Sequence, residues 1–480
     1  MRKLLSYNYN PLFAFTLLAL VASIGCYAFT GNLFVLLSPL IIVYGIVLLK
    51  DWKLAYWLFI FFIPLSVQFA LPGNSLSLSL PDEPLCWLFF FIFILLFAHN
   101  PRILPRWLWH DTLLQIIALQ FAWLILAVVY SDVFILSLKF LFAKTWYLVC
   151  FLILPTLLFK EKKDFKILFT LLFIPIIATM FVIVSRQAGT HFSFNSIGYA
   201  VGNLYLNHVE YGAVISIFFP LLIGAYTLNR KSNPRLGHLL LLFILFFLPV
   251  IFFTYARAAV IAILFAAIIG IAIRYRLVNY IMPSIYVAIV LLFIFLLKDD
   301  KYLELRPDYN HTYMHTDYKS HLAATLAGRD LSSMERIYRW IAAVRMSNDR
   351  PFVGYGPHAF VYNYRAYTLH AFRTYTSDNK EQSTTHNYFL FMLTEQGWPA
   401  MLLYGLLVAV FFARAQKVYH RFADPFYKTC TLGLAMAFAA AFVNNFFSEL
   451  IETHKVGAMF YLIIALLIIL NEKSKQLNPG

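Results

Sequence analysis

Charge is scarce in this sequence: Asp, Glu, Lys and Arg make up 13% of its 480 residues. Soluble globular chains carry about twice that fraction, so a water-facing surface over most of the chain is excluded. Cysteine is scarcer still. Its four residues, Cys26, Cys86, Cys150 and Cys430, fall in or beside apolar runs without ligand-like spacing. Neither a disulfide framework nor a metal site is expected. What stands in place of charge is apolar: 61% of the residues, with a mean hydropathy of +0.72. The net charge of +15 does not point to nucleic acid, because Lys and Arg of membrane proteins gather in cytoplasmic loops for topological reasons.

Apolar segments of about 17–25 residues, long enough to cross about 30 Å of hydrocarbon, recur along the chain. They fall at 12–28, 32–49, 54–72, 84–98, 112–129, 134–158, 166–185, 208–228, 237–253, 257–273, 280–297, 387–412, 428–446 and 456–470. The expectation is an all-α integral membrane protein, a polytopic bundle of about 12–14 transmembrane helices. The first span follows the basic start MRK but runs long for a signal peptide and lacks a cleavage site, so it is expected to remain as a helix.

With a cytoplasmic N-terminus, each inside loop contains at least two basic residues, whereas the short outside loops carry only Arg186 and Lys455. The positive-inside rule then fixes the orientation, with both termini cytoplasmic. Three sections follow: an N-terminal bundle at 1–297, a large outer (periplasmic) loop at 298–385, and C-terminal helices at 386–480. The loop contains a helix signal. Ser332 and Glu335 have capping-box spacing, Met334, Ile337, Tyr338 and Ile341 form an apolar stripe, and Asn348-Asp349-Arg350-Pro351 ends the run. A turn through Gly354, Gly356 and Pro357 comes next, and THNYFL leads back into the membrane.

On the loop helix Arg336 and Trp340 project away from the stripe, while Arg339 lies four residues after Glu335 and has an ion-pair partner at hand. Arg257 opens an apolar helix at its outer end, where an arginine must snorkel, pair or line a cavity. Arg186 reaches the same face. Such cations suit an anionic ligand such as pyrophosphate, which the planar guanidinium fork matches. His386 stands at the water–lipid boundary, either as a general base or as a satisfied interfacial histidine. Lys139 and Lys144 lie within an apolar helix, and Asp82, Glu83 and Glu210 approach the outer side as partners for the cations. His311, His315, His321, His358 and His370 are scattered without a shared face for a metal.

Three patches carry a resemblance: TYARAAVIAI at 254–263, ERIYRWIAAVRMSNDRPFVGYGPHAF at 335–360 and THNYFLFMLTEQGWPAMLLYGLL at 385–407, with NHVEYG at 207–212 as a weaker fourth. In order and spacing the chain resembles the O-antigen ligase and O-antigen polymerase superfamily of bacterial envelope enzymes. Tyr255-Ala256 precedes Arg257 where a serine is common, which removes a hydroxyl contact. The resemblance implies a GT-C-like fold in the inner membrane. It also implies transfer of a glycan from undecaprenyl pyrophosphate to an acceptor hydroxyl, lipid A-core for a ligase, on the periplasmic side. Arg257, Arg336 and His386 take the places of the family's functional arginines and histidine. Arg339, Arg186, Asn387, Trp340, Glu210 and Lys144 are further substrate-binding candidates, and no cofactor is expected.

Three alternatives stay open. A polymerase shares the chemistry. A protein O-oligosaccharyltransferase is disfavoured by the short tail after residue 470. A lipid-linked sugar transporter would suit Lys139 and Lys144, but the chain has no evident inverted repeat.

Overall fold

The computed structural model describes residues 22–23, 33–70, 77–307, 330–374, 377 and 384–477. The predicted 12–28 span lies almost wholly outside them. The chain divides into two units, 1–62 and 63–480. In the first, helix Leu33–Lys50 turns through Asp51, whose carboxylate caps Lys53 N at 3.0 Å and Leu54 N at 3.1 Å, into helix Trp52–Phe62. Tyr44 OH donates to Ala55 O at 3.0 Å and ties the pair together.

The expected 54–72 span is corrected here. Helix Trp52–Phe62 gives way to a 3-10 turn at Ile63–Leu65, then to an antiparallel hairpin of Val67–Ala70 with Ser77–Leu80. Pro64 lacks the amide a continuing helix needs. Beyond it Val67, Gln68 and Phe69, and Leu78, Ser79 and Leu80, alternate apolar with polar, which is strand period.

In the second unit eleven helices among the described residues are long and apolar enough to cross a membrane: Asp82–His99, Thr112–Val129, Phe134–Leu158, Lys162–Gly189, His208–Asn229, Pro234–Phe253, Arg257–Arg274, Val278–Leu296, Tyr388–Arg421, Pro425–Phe446 and His454–Leu477. The protein is an all-α polytopic membrane protein. His454–Leu477 is almost wholly buried and Val278–Leu296 is peripheral. Pro425–Phe446 packs closely on His208–Asn229 and Arg257–Arg274. Its buried face is built of small residues, among them Gly433, Ala435, Ala437, Ala439, Ala440 and Ala441. Without a hydrophobic drive between helices in lipid, such residues gain attraction by letting backbones approach.

The loop helix spans Leu331–Asp349, as its sequence signals. Its cap differs. Asp330, not Ser332, is the N-cap, accepting from Ser333 N at 3.0 Å, and Glu335 is buried elsewhere instead of closing a capping box. Met334, Tyr338, Ala342 and Met346 are buried, and most of this face joins Tyr355, Phe360, Tyr364 and Phe372 in a core belonging to the loop itself.

That loop is bolted to a break in helix Tyr388–Arg421. Gly397 has φ +81°, and a Cβ there would lie 1.9 Å from Phe352 O. The break frees backbone groups that lipid cannot satisfy. Thr394 O and Glu395 O accept from Tyr355 N and Gly356 N, each at 2.9 Å, and Trp398 N donates to Pro351 O at 2.8 Å. Gln396 O takes Trp123 Nε1 at 2.8 Å. The Glu395 carboxylate accepts His358 N at 2.9 Å. The PFVGYGPH turn and the TEQGW segment are therefore complementary halves of one joint.

Candidate functional site

The site forms where three helix starts meet. Helix Arg257–Arg274 begins at a tight corner, with Tyr255 at φ +55°, which places Arg257 as its first residue. The loop helix begins at Asp330, whose fully buried carboxylate accepts from Arg257 Nη2 at 3.0 Å, Ser333 N at 3.0 Å and Ser333 Oγ at 2.8 Å. One carboxylate thus caps one helix and anchors the other's arginine.

Arg336, one and a half turns further along, is only partly accessible, and its Nε is buried without a hydrogen-bond partner among the described residues. Burial first, then the charges of Arg257 and Arg339, push its guanidinium down to about 10, against the pull of Asp330 and Glu449. Arg339 bonds Glu335 at 3.1 Å, the ion pair its spacing predicts. Glu335 is also held by Ser377 Oγ at 2.6 Å and by the Thr374 hydroxyl.

From the loop helix, Trp340 Nε1 donates to Thr385 O at 2.9 Å and its ring meets Phe446 edge-on. This fixes the chain just before His386, which has φ +51° and a side chain 34% accessible. The His386 Nδ1 atom lies 3.9 Å from Glu449 Oε2. Burial first, then Arg339 and Arg336, push the imidazole down to about 3, so it is neutral at physiological pH. The sequence-based expectation of a general base takes no account of these two arginines. Glu449 accepts from Thr385 Oγ1 at 2.5 Å, Thr384 Oγ1 at 2.7 Å and Asn387 N at 3.3 Å. Burial nonetheless raises its carboxyl above the ordinary range.

Arg257, Arg336, Arg339 and His386 therefore share one electrostatic environment, with Asp330, Glu335 and Glu449 around it. The remaining candidates have other attachments. Asn387 caps helix Tyr388–Arg421 through Leu390 N at 3.1 Å and donates to Phe446 O at 3.0 Å. Arg186 donates to Ala200 O at 3.2 Å within its own loop. Glu210 accepts Leu206 N at 2.7 Å and borders a small polar pocket with His454 and Lys455. Lys144 is paired with Glu452 at 2.7 Å, and Lys139 is exposed.

Asp330 and Glu449 escaped the sequence reading. Asp330 had a legible signal, a cap-type residue directly before LSSMERIY. Glu449 had only its place in a short loop, and a topology count of basic residues passes over acidic ones.

Residues 239–405 match the family described as O-antigen ligase, a segment that contains Arg257, Arg336 and His386. Over that segment the chain is similar to the O-antigen ligase family. No curated protein matches the chain.

Proposed function

We propose that this protein is a glycosyltransferase of the O-antigen ligase type. It moves a glycan from undecaprenyl pyrophosphate to an acceptor hydroxyl, that of lipid A-core, at the periplasmic face of the inner membrane. The observation that carries the reading is a partly buried Arg336, its Nε without a hydrogen-bond partner among the described residues, beside a neutral histidine where helices Arg257–Arg274 and Tyr388–Arg421 begin. A lipid-linked pyrophosphate must keep its tail in the bilayer while its sugar meets a water-borne acceptor. A site at helix ends meets both needs.

Arg336 and Arg257 bind the pyrophosphate and stabilise the charge it gains on leaving, in a setting preorganised by Asp330. No metal has a role in this scheme. The acceptor oxygen bonds to the anomeric carbon, the bond from that carbon to the phosphate oxygen breaks, and its electron pair leaves on the pyrophosphate. The hydroxyl proton passes to His386. Single displacement inverts the anomeric centre.

Before donor binds, a histidine with so little proton affinity is a poor base. Once the anionic pyrophosphate offsets Arg336 and Arg339, two of the causes that hold the imidazole down are removed and its basicity rises. Donor binding thereby switches on the base. Nδ1 faces Glu449, and the scheme assigns the acceptor to Nε2.

The test is purified protein with a lipid-linked donor. Arg336→Ala and His386→Ala should abolish transfer while remaining folded, and wild type should keep its activity in chelator. Full activity in both variants sinks the assignment. Deletion followed by envelope glycan analysis separates a ligase, which leaves lipid-linked polymer to accumulate, from a polymerase, which leaves a single capped repeat.

A further inference from the structure

The segment that joins helices Pro425–Phe446 and His454–Leu477 carries two carboxylates with different duties. Glu449 holds Thr384, Thr385 and the backbone of Asn387. Glu452, one turn on, accepts from Tyr388 OH at 2.7 Å. The two grip the 384–388 stretch from either side of His386. Asn387 Nδ2 returns the grip by donating to Phe446 O, and Ile451 N donates to Asn445 Oδ1 at 2.8 Å.

What holds Glu452 lies within the spanning helices. Both of its oxygens accept from Lys144 Nζ, each at 2.7 Å, and Lys144 reaches Tyr461 OH at 3.3 Å. The lysine side chain is 10% accessible and the glutamate 18%. Beside the pair is a cavity of about 30 Å³ whose lining includes Lys144, Tyr388 and Tyr404. Phe391 and Tyr404 pack on the Tyr388 ring, with centroids 5.6 and 4.7 Å away, and Glu452 fixes its hydroxyl end. A desolvated carboxylate keeps this geometry only while its cation is present.

We infer that Lys144 is a positioning residue for the transfer reaction: through Glu452 and Tyr388 it fixes the stretch that holds His386 beside Glu449. It touches neither donor nor acceptor. The role rests on the proposed function for its kinetic consequence, but its structural consequence can be read without turnover.

The experiment compares wild type, Lys144→Met, Lys144→Arg and the double variant Lys144→Met/Glu452→Gln in lipid nanodiscs. Two readouts are taken: the rate at which diethyl pyrocarbonate modifies His386, followed by mass spectrometry, and the kcat and donor KM of glycan transfer. Lys144→Met should speed modification severalfold. It should lower kcat by about a hundredfold, as expected for an ångström-scale misplacement, with donor KM within about twofold. Lys144→Arg, which keeps the charge, and the double variant, which removes the unpaired carboxylate, should both return toward wild type.

Unchanged modification and unchanged kcat in Lys144→Met overturn the inference. So does a loss of activity that only tracks the folded fraction while His386 in the folded protein reacts at the wild-type rate. A wild type that transfers no glycan but shows the modification pattern refutes the proposed function and leaves the positioning intact.

Discussion

Arg336 is expected to cost the protein stability before an anion binds. Its guanidinium is pushed down to about 10 from the ordinary 12.5, which means that the folded state disfavours the charged form. At about 1.4 kcal/mol for each tenfold change in proton affinity, the penalty is about 3 kcal/mol at most, and partial solvation of the side chain reduces it to about 1–3 kcal/mol. Because the folded value lies below the unfolded one, the penalty is fully present below pH 10 and is relieved as pH rises through it. Arg336→Met keeps the length of the side chain, fills the same space and discards the charge. It should raise the thermal midpoint of the protein in detergent while removing transfer, the trade between stability and activity expected of a binding group held ready. Inorganic pyrophosphate then supplies the second arm. At a hundred times its dissociation constant a ligand adds about 2.7 kcal/mol to the folded state, so pyrophosphate should raise the midpoint of wild type and leave Arg336→Met nearly unmoved. A variant less stable than wild type, shifted by pyrophosphate as much as wild type is, refutes both the electrostatic account and the placement of the anion.

Asp330→Asn and Asp330→Ala should separate the two duties of that carboxylate. Asparagine still caps the helix, so its loss in thermal unfolding reflects Arg257 alone, whereas alanine adds about 1 kcal/mol for the lost cap; equal midpoints for the two would deny the capping role. His386→Asn should flatten the acid side of the stability profile. The folded imidazole at about 3 lies below the ordinary 6.5, so between those values the unfolded chain binds more protons and wild-type stability falls as pH drops; parallel unfolding curves for the two proteins from pH 6.5 to 4.5 would count against a depressed histidine. Gly397→Ala puts a methyl into Phe352 O and forces a left-handed backbone on alanine, at about 1–3 kcal/mol for the conformation alone. Limited proteolysis should then cut the 351–358 turn, and wild-type resistance would show that the joint does not depend on the glycine.

Much of the architecture was legible because lipid leaves the chain few choices. Runs such as 112–129 and 208–228 appear as Thr112–Val129 and His208–Asn229 almost to the residue, since a spanning segment must satisfy its own backbone. The 54–72 segment failed because average hydropathy does not distinguish a helix from a strand of alternating Val, Phe and Leu after a proline. In the site, the Arg339–Glu335 pair was readable from local spacing. Arg186 and Glu210 shared the expected outer face, but helix ends there are too far apart in the chain for spacing to say which of them meet. The same limit hid Glu449, separated from His386 by two helices, and Asp330, whose value lies in reaching Arg257 across 73 residues.

The joint at Gly397 bears on what kind of machine this is. Three main-chain hydrogen bonds and the Glu395 carboxylate tie the loop's turn and the membrane helix together at one point. Trp340 and Thr385 tie them again beside His386. Arg336 and His386 arise from opposite sides of these attachments, so their separation is set by the joint and not by a mobile cover. The described part of the loop, fastened in this way, forms a fixed wall of the candidate site. Specificity for the acceptor would then be built into side chains along that wall, while in the proposed scheme the change that readies the base would come from the donor's charge. In the proposed scheme this arrangement needs no large closure, only an anion arriving beside Arg336, whose Nε has no hydrogen-bond partner among the described residues.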